Sequence, residues 1–304
     1  MAQQVDLASI RQFGNMEFLA RQLVEGFITG LHKSPYHGFS VEFSEHRLYN
    51  SGESTRHIDW KVFARTDKLF VKRYEEETNL RCHLLVDVSP SMYYPEATNG
   101  KLTFSALAAA ALATMLQKQR DAVGLITFAD KILEQSPVKS TGSHVHTLIM
   151  ALQNLLNQSR PTGQTDVAKV LHQIAQQIPK RSLVIIFSDM FSRQEDTTAI
   201  FAALQHLKHQ NHEVLLFHVM DQKTEEAFEF AERPYLFVDV ETGEQLKLQP
   251  SQVRENYTKA IEEFKRSLEL KCHQYKIDFI PVDINEAFDK VLYGYLVKRG
   301  KMRV

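Results

Sequence analysis

The rhythm of apolar and polar positions changes twice along the chain. Leu7, Ile10, Phe13, Leu19, Leu23, Phe27, Ile28 and Leu31 recur at roughly three- and four-residue spacing. That spacing predicts an amphipathic helix, interrupted near Gly14. Residues 32–80 then mix Gly, Pro and charge with short β-type runs such as "FSVEF" and "LFVKRY", an irregular or β-rich segment with little core of its own. From residue 81 strands alternate with helices. "CHLLVDV", "AVGLITFA", "SLVIIFSDM", "EVLLFHVMD" and "DFIPVDI" read as strands. "TFSALAAAALATMLQKQ", "HVHTLIMALQNLLNQ", "TDVAKVLHQIAQQI", "TTAIFAALQHLKHQ" and "VRENYTKAIEEFKRSLELKCHQY" read as helices, with another at the C-terminus. "KILEQSPVKS" suits a short edge piece, and "PYLFVDVETGEQLKL" a hairpin turning at Glu241-Thr242-Gly243.

The predicted strands are continuously apolar rather than alternating, so both their faces must be covered. The fold class expected is α/β: a mostly parallel sheet with helices on both faces. The division expected is residues 1–80, a helix and an irregular segment packed on the main domain, and residues 81–304, the main domain with a C-terminal elaboration.

Composition narrows the setting. Of 304 residues, 43% are apolar and 24% charged, enough for a sizeable core. A net charge of -1 offers no global basic excess for nucleic acid. No run reaches about 18 apolar residues, the length a spanning helix needs. "SALAAAALATML" is too short and ends in "QKQRD", so it reads as a buried helix. The opening "MAQQVDLASIRQFGN" lacks the cationic and apolar stretches of a secretory signal. Cys82 and Cys272 are far apart in sequence and read as free thiols in a reducing compartment. A soluble cytoplasmic protein is expected.

In an open parallel sheet the functional crevice lies beyond the carboxyl ends of the strands. Three oxygen-rich loops fall there: "VDVSPS", "PTGQTD" and "FSDM". They supply Asp87, Ser89 and Ser91; Thr162 or Thr165, with Asp166 nearby; and Ser188 with Asp189. Hard oxygen donors without His or Cys suit Mg²⁺, Mn²⁺ or Ca²⁺. Ser89, Ser91 and Thr165 can touch such an ion directly, with Asp87 and Asp189 holding its waters. Few anionic groups then touch the ion, which keeps a position for a carboxylate from another protein. Asp-x-Ser at a strand end also caps helices; three such loops in this order make coincidence less plausible.

"DVSPSM" resembles the Asp-x-Ser-x-Ser signature of von Willebrand factor A domains. Their metal-ion-dependent adhesion site (MIDAS) is completed by a threonine and an aspartate from two later loops. The resemblance assigns those places to Thr165 and Asp189, with Gly163-Gln164-Thr165 where Gly-Gly-Thr is usual. "AVGLITFAD" is similar to that family's second strand. Upstream, "GFSVEFSEHRLYNSGESTRHIDWKVFARTDKLFVKRYEEE" resembles the signature of the bacterial family called domain of unknown function fifty-eight. The matching residues include Gly38, Glu42, Arg47, Tyr49, Gly52, Arg56, Asp59, Trp60, Arg65 and Lys72. Such proteins are often encoded beside AAA+ ATPases of the MoxR type. The resemblance therefore implies chaperone-like or complex-maturation work with such an ATPase. Some relatives carry N-terminal membrane helices; no such stretch is present here.

In "RHIDWKVFAR", Arg56, Asp59, Lys61 and Arg65 surround the sole tryptophan, Trp60. Buried, the cluster pins its segment to the main domain; exposed, it is a partner-binding hot spot. His206, His209 and His212 stand three apart with no acid or Cys to complete a transition-metal set. Gly-x-Ser-x-Gly is absent, and "PEATNGKLT" lacks the features of a phosphate-binding loop. Phosphotransfer through Asp87 is the enzymatic alternative. Against it, Ser89 stands where an acid–base carboxylate is wanted, and no lysine is obviously placed to clamp a phosphoryl group; Lys131 and Lys180 remain open. The expectation is a non-enzymatic, metal-dependent protein-binding module. The runner-up is a metal-independent scaffold binding through residues 36–80.

Overall fold

The computed structural model describes residues 15–32, 46–48, 60–72, 80–98, 100–161, 166–191, 197–239 and 243–302. The helix onset expected at residue 7, the break near Gly14, and Thr162 and Thr165 lie outside them. The chain divides into two units, residues 28–79 and the remainder.

The larger unit takes in the first part of α1 (Met16–His32). Within the smaller unit β1 (His46–Leu48) pairs antiparallel with β2 (Phe70–Lys72), with α2 (Trp60–Thr66) between them in sequence. Arg56, Asp59 and the side chains of Trp60 and Lys61 are outside the described residues, as is most of the 36–80 segment.

The larger unit continues with β3 (Arg81–Asp87), a short 3-10 turn (Pro90–Tyr93), α3 (Gly100–Lys118), β4 (Ala122–Phe128), β5 (Ile132–Gln135), α4 (Gly142–Leu155), α5 (Val167–Gln177), β6 (Leu183–Ser188), α6 (Thr197–His209) and β7 (Glu213–Met220). A π-helical turn (Gln222–Glu226) leads to β8 (Tyr235–Val238), β9 (Gln245–Leu248), α7 (Pro250–Gln274), β10 (Asp278–Asp283) and α8 (Asp289–Met302). Six strands form one sheet in the order β10-β7-β6-β3-β4-β5. All neighbours are parallel except the edge strand β5, antiparallel to β4.

Alternation along the strands feeds two apolar layers, which explains the continuous apolar runs. Leu125, Leu84, Ile185 and Leu215 form one row across four strands, and Ile126, Leu85, Ile186 and Leu216 the next. The first row packs with α3, α4, α8 and the start of α1 through Met16, Ala20 and Val24. The second packs with α5, α6 and α7. Helix α3 is buried at every position from Gly100 to Leu116; its alanines let neighbouring elements approach closely. This is an α/β fold with helices on both faces, and its strand order around a central first strand is von Willebrand factor A-like. No helix among the described residues is long and apolar enough to cross a membrane.

The hairpin forms where the sequence places it: β8 pairs with β9, and Gly243, at φ +77°, takes the left-handed conformation that glycine adopts without steric cost. Cys82 lies in the first apolar layer and Cys272 in the second. Both are free and fully buried. Burial pushes both thiols up, Cys272 to about 12.

His83, inside β3, is 3% exposed, and neither ring nitrogen has a hydrogen-bond partner among the described residues. Burial, helped by His212 and Arg81, lowers its pKa from 6.5 to about 4. The unfolded chain therefore binds the extra proton first as pH falls, and the stability that His83 contributes above 6.5 is lost between 6.5 and 4. At about 1.4 kcal/mol per unit, this residue alone costs about 2 kcal/mol by pH 5. His83→Leu is expected to remove that share of the pH dependence. Urea unfolding of both proteins at pH 7.5 and 5 measures it; equal pH slopes would contradict it.

Candidate metal site at the carboxyl ends of the strands

Strand β3 is central, with its sequence neighbour β4 on one side and the later strands β6 and β7 on the other. The carboxyl ends of β3 and β6 therefore flank the point where the winding reverses, the usual crevice of such sheets. Asp87 is the last residue of β3 and Ser188 the last of β6. The backbone N–H of Ser89 donates to Asp87 Oδ1 at 2.8 Å, and the Ser188 hydroxyl donates to Asp87 Oδ2 at 2.6 Å. Ser89 Oγ and Ser91 Oγ lie 3.1 Å apart, and the Ser91 hydroxyl is near enough to Asp189 to help lower its carboxyl pKa. Two loops separated by about a hundred residues of chain thus meet at one point, joined by their own side chains.

The loop after β6 is shaped for this. Met190 is buried and has φ 51°, a left-handed value that costs a non-glycine residue about 1–2 kcal/mol. Its N–H returns to Ser188 Oγ at 2.9 Å, and Phe191 N–H donates to Asp189 Oδ1 at 3.1 Å. On β7, His218 Nε2 lies 2.9 Å from the Asp189 carbonyl oxygen. Burial holds this imidazole down to about 4, so the neutral ring donates that bond.

Lys101, in the first turn of α3, supplies the one cation that touches Asp189 among the described residues. Its ammonium is fully buried, 2.7 Å from Asp189 Oδ2 and 2.5 Å from Glu225 Oε1. Glu225 sits on the turn after β7, where its Oε2 accepts from Asp221 N–H at 2.9 Å. Gly100 permits this placement: a Cβ there would lie 2.7 Å from Pro95 and 2.8 Å from Ile284. Burial would lower the Lys101 pKa, but Asp189 and Glu225 outweigh it and carry it above the ordinary lysine value. Burial likewise works to raise Asp189, yet Lys101 holds that carboxyl below the usual range. Among the described residues no ammonium contacts Asp87. Burial, then the charge on Asp189, pushes it up from 3.8 to about 7.

These features test whether the residues suit a divalent ion. Two hydroxyl oxygens 3.1 Å apart, each about 2.1 Å from a common ion, subtend about 95°, close to an octahedral edge. Asp87 and Asp189 stand behind that pair as two buried carboxylates whose mutual repulsion a cation would relieve. Asp87 already spends both oxygens on Ser89 and Ser188, as a carboxylate set back from the ion would. The donors fit Mg²⁺ or Mn²⁺. Thr165 and the alternative Thr162 lie outside the described residues; Asp166, next in sequence, caps α5 by accepting from Lys169 N–H at 2.9 Å.

Among the described residues no group of three or more His, Cys, Asp or Glu is arranged to hold a metal; the hydroxyl pair with its two carboxylates is a set of another kind. The His206, His209 and His212 series does not share a helix, because α6 ends at His209 and His212 is buried against Ser182. His206 instead meets His172 of α5 at 3.0 Å between Nδ1 atoms. Lys131 and Lys180 are both exposed. Among the described residues the lysine buried at the strand ends is Lys101, which stands in a Gly-Lys string that lacks the other features of a phosphate-binding loop. With its ammonium buried between two carboxylates, it presents no free charge to a phosphoryl group.

The family model described as protein of unknown function DUF58 matches residues 45–267. The chain belongs to that family. Curated relatives include the uncharacterized proteins Mb1516 of Mycobacterium bovis and Rv1480 of Mycobacterium tuberculosis, each 25% identical over 68% of this chain. The chain spans 64% of the length of these DUF58-related proteins. Similar solved structures include BatB from Bacteroides thetaiotaomicron, at 15% identity and TM-score 0.41, over 74% of this chain and 98% of that one. An aerotolerance-related membrane protein from Bacteroides fragilis follows at 15% identity and TM-score 0.44, over 74% and 100%.

Proposed function

We propose that this DUF58 protein is a non-enzymatic binding module that captures an acidic side chain of a partner protein through a divalent cation held at the strand ends. Ser89 and Ser91 are its direct protein ligands, with Thr165 the expected third, and Asp87 and Asp189 orient and balance it from behind. Bound there, a cation of the Mg²⁺ class supplies a Lewis-acidic position for a carboxylate. The observation that carries this reading is the 3.1 Å pair of serine hydroxyls backed by two buried aspartates. Ser188 fixes the orientation of Asp87, and Met190 turns the chain so that Asp189 faces Ser91. The family resemblance makes a MoxR-type AAA+ ATPase, or a client of one, the first partner to try.

Calorimetric titration of the full chain with Mn²⁺ and Mg²⁺ should show one saturable site. An Asp-containing peptide from a purified MoxR-type ATPase should then bind in Mn²⁺ but not in EDTA, and its Asn counterpart in neither. No ion binding, or peptide binding indifferent to EDTA, would sink the reading.

A further inference from the structure

The buried triad of Asp189, Lys101 and Glu225 is unexplained by a site made only of hydroxyls and two aspartates. A lysine in the first turn of a helix opposes the helix dipole, and full burial of its ammonium adds a desolvation cost. Both costs are met by two carboxylates from separate loops, so the position is strongly specified. Building on the reading that the hydroxyl pair holds a divalent cation, we propose that Lys101 withholds Asp189 from that cation, and so sets how much of the ion's charge is left for a partner's carboxylate.

The geometry gives Lys101 this role in two ways. Asp189 has one carboxylate oxygen on the Phe191 N–H and the other on the Lys101 ammonium. Its charge is therefore largely balanced inside the protein before any metal arrives. Glu225 shares the same ammonium at 2.5 Å and draws part of that positive charge toward the turn after β7. Lys101 weakens the pull of Asp189 on the ion, and Glu225 moderates Lys101. A site that presents less negative charge retains the ion less tightly, and an ion that is less neutralised attracts an incoming carboxylate more strongly. The triad trades resident affinity for capture strength.

Substitutions at the two ends of the triad are expected to act in opposite directions. Lys101→Met keeps the buried length without the charge, frees Asp189, and should tighten Mn²⁺ binding about tenfold while weakening capture of the Asp peptide. Glu225→Gln leaves the whole ammonium to Asp189 and should loosen Mn²⁺ binding by a similar factor. Lys101→Gln, which keeps a donor but no charge, should repeat the methionine result and serves if that variant fails to fold. Mn²⁺ affinity is read by calorimetry on full-length variants with cooperative thermal unfolding. General damage to the fold loosens binding in both variants, so opposite shifts cannot come from it. If wild type binds Mn²⁺ and both substitutions move the affinity the same way, or a charge-free Lys101 variant leaves it unchanged, the role of Lys101 is overturned and the site stands. If wild type binds no ion, the reading of the site fails and this proposal falls with it.

Discussion

Asp87→Ala is expected to lower Mg²⁺ and Mn²⁺ affinity by about 100-fold, the upper range for loss of a carboxylate that supports metal ligands from behind. Asp87 is fully buried and receives bonds from both loops of the site, at Ser89 N–H and at the Ser188 hydroxyl. Its removal strips a negative charge from beside the proposed ion position and releases the two groups that hold the Ser89 turn against the end of β6. Each buried donor left without an acceptor costs about 1–3 kcal/mol. Loss of the repulsion between Asp87 and Asp189 offsets part of that cost, so the variant should fold with a modestly lowered melting temperature. Asp87→Asn preserves an acceptor and should lose affinity with a smaller change in stability. Calorimetry gives the binding loss and thermal unfolding the stability. An alanine variant that binds Mn²⁺ as the parent does would remove Asp87 from the site.

The second large effect is on the scaffold. Phe187→Ala is expected to destabilise the protein by about 3–5 kcal/mol, the range for emptying a buried aromatic site. Phe187 has no exposed surface and stacks on Phe217 of the neighbouring strand, with ring centroids 5.0 Å apart and planes at 13°. It immediately precedes Ser188, so the stack also seats the end of β6 on which Asp189 depends. A fall in melting temperature of roughly 10 °C is expected for a unit of this size. Calorimetry or circular dichroism measures it; a fall under about 3 °C would mean that neighbouring side chains close the cavity.

Much of the architecture was legible because the local signals agreed. Two-faced burial demands unbroken apolar strands, and "CHLLVDV", "SLVIIFSDM" and "EVLLFHVMD" have that character. Gly243 marks a hairpin because only glycine takes its backbone angle freely. Asp87, Ser89, Ser91 and Asp189 were legible by residue type and by position after strands, and the fold brings both loops together. Ser188 was visible only as a companion of Asp189; its hold on Asp87 depends on β6 lying beside β3, which order along the chain does not reveal. Lys101 was illegible for a related reason. Its partners lie 88 and 124 residues away, and the local string "NGKLTF" invites comparison with nucleotide loops. The one local hint was a charged residue opening a helix otherwise too apolar to have a wet side. His218 hides similarly in "FHVM", where it reads as an imperfection in a strand until the Asp189 carbonyl is seen beside it.

The two cysteines give the protein a pair of built-in reporters. Because Cys82 and Cys272 lie in opposite layers of the sheet, each thiol can meet an alkylating reagent only when its own side of the molecule opens. Timed modification followed by mass mapping therefore distinguishes a loosening of one layer from complete unfolding without an introduced probe.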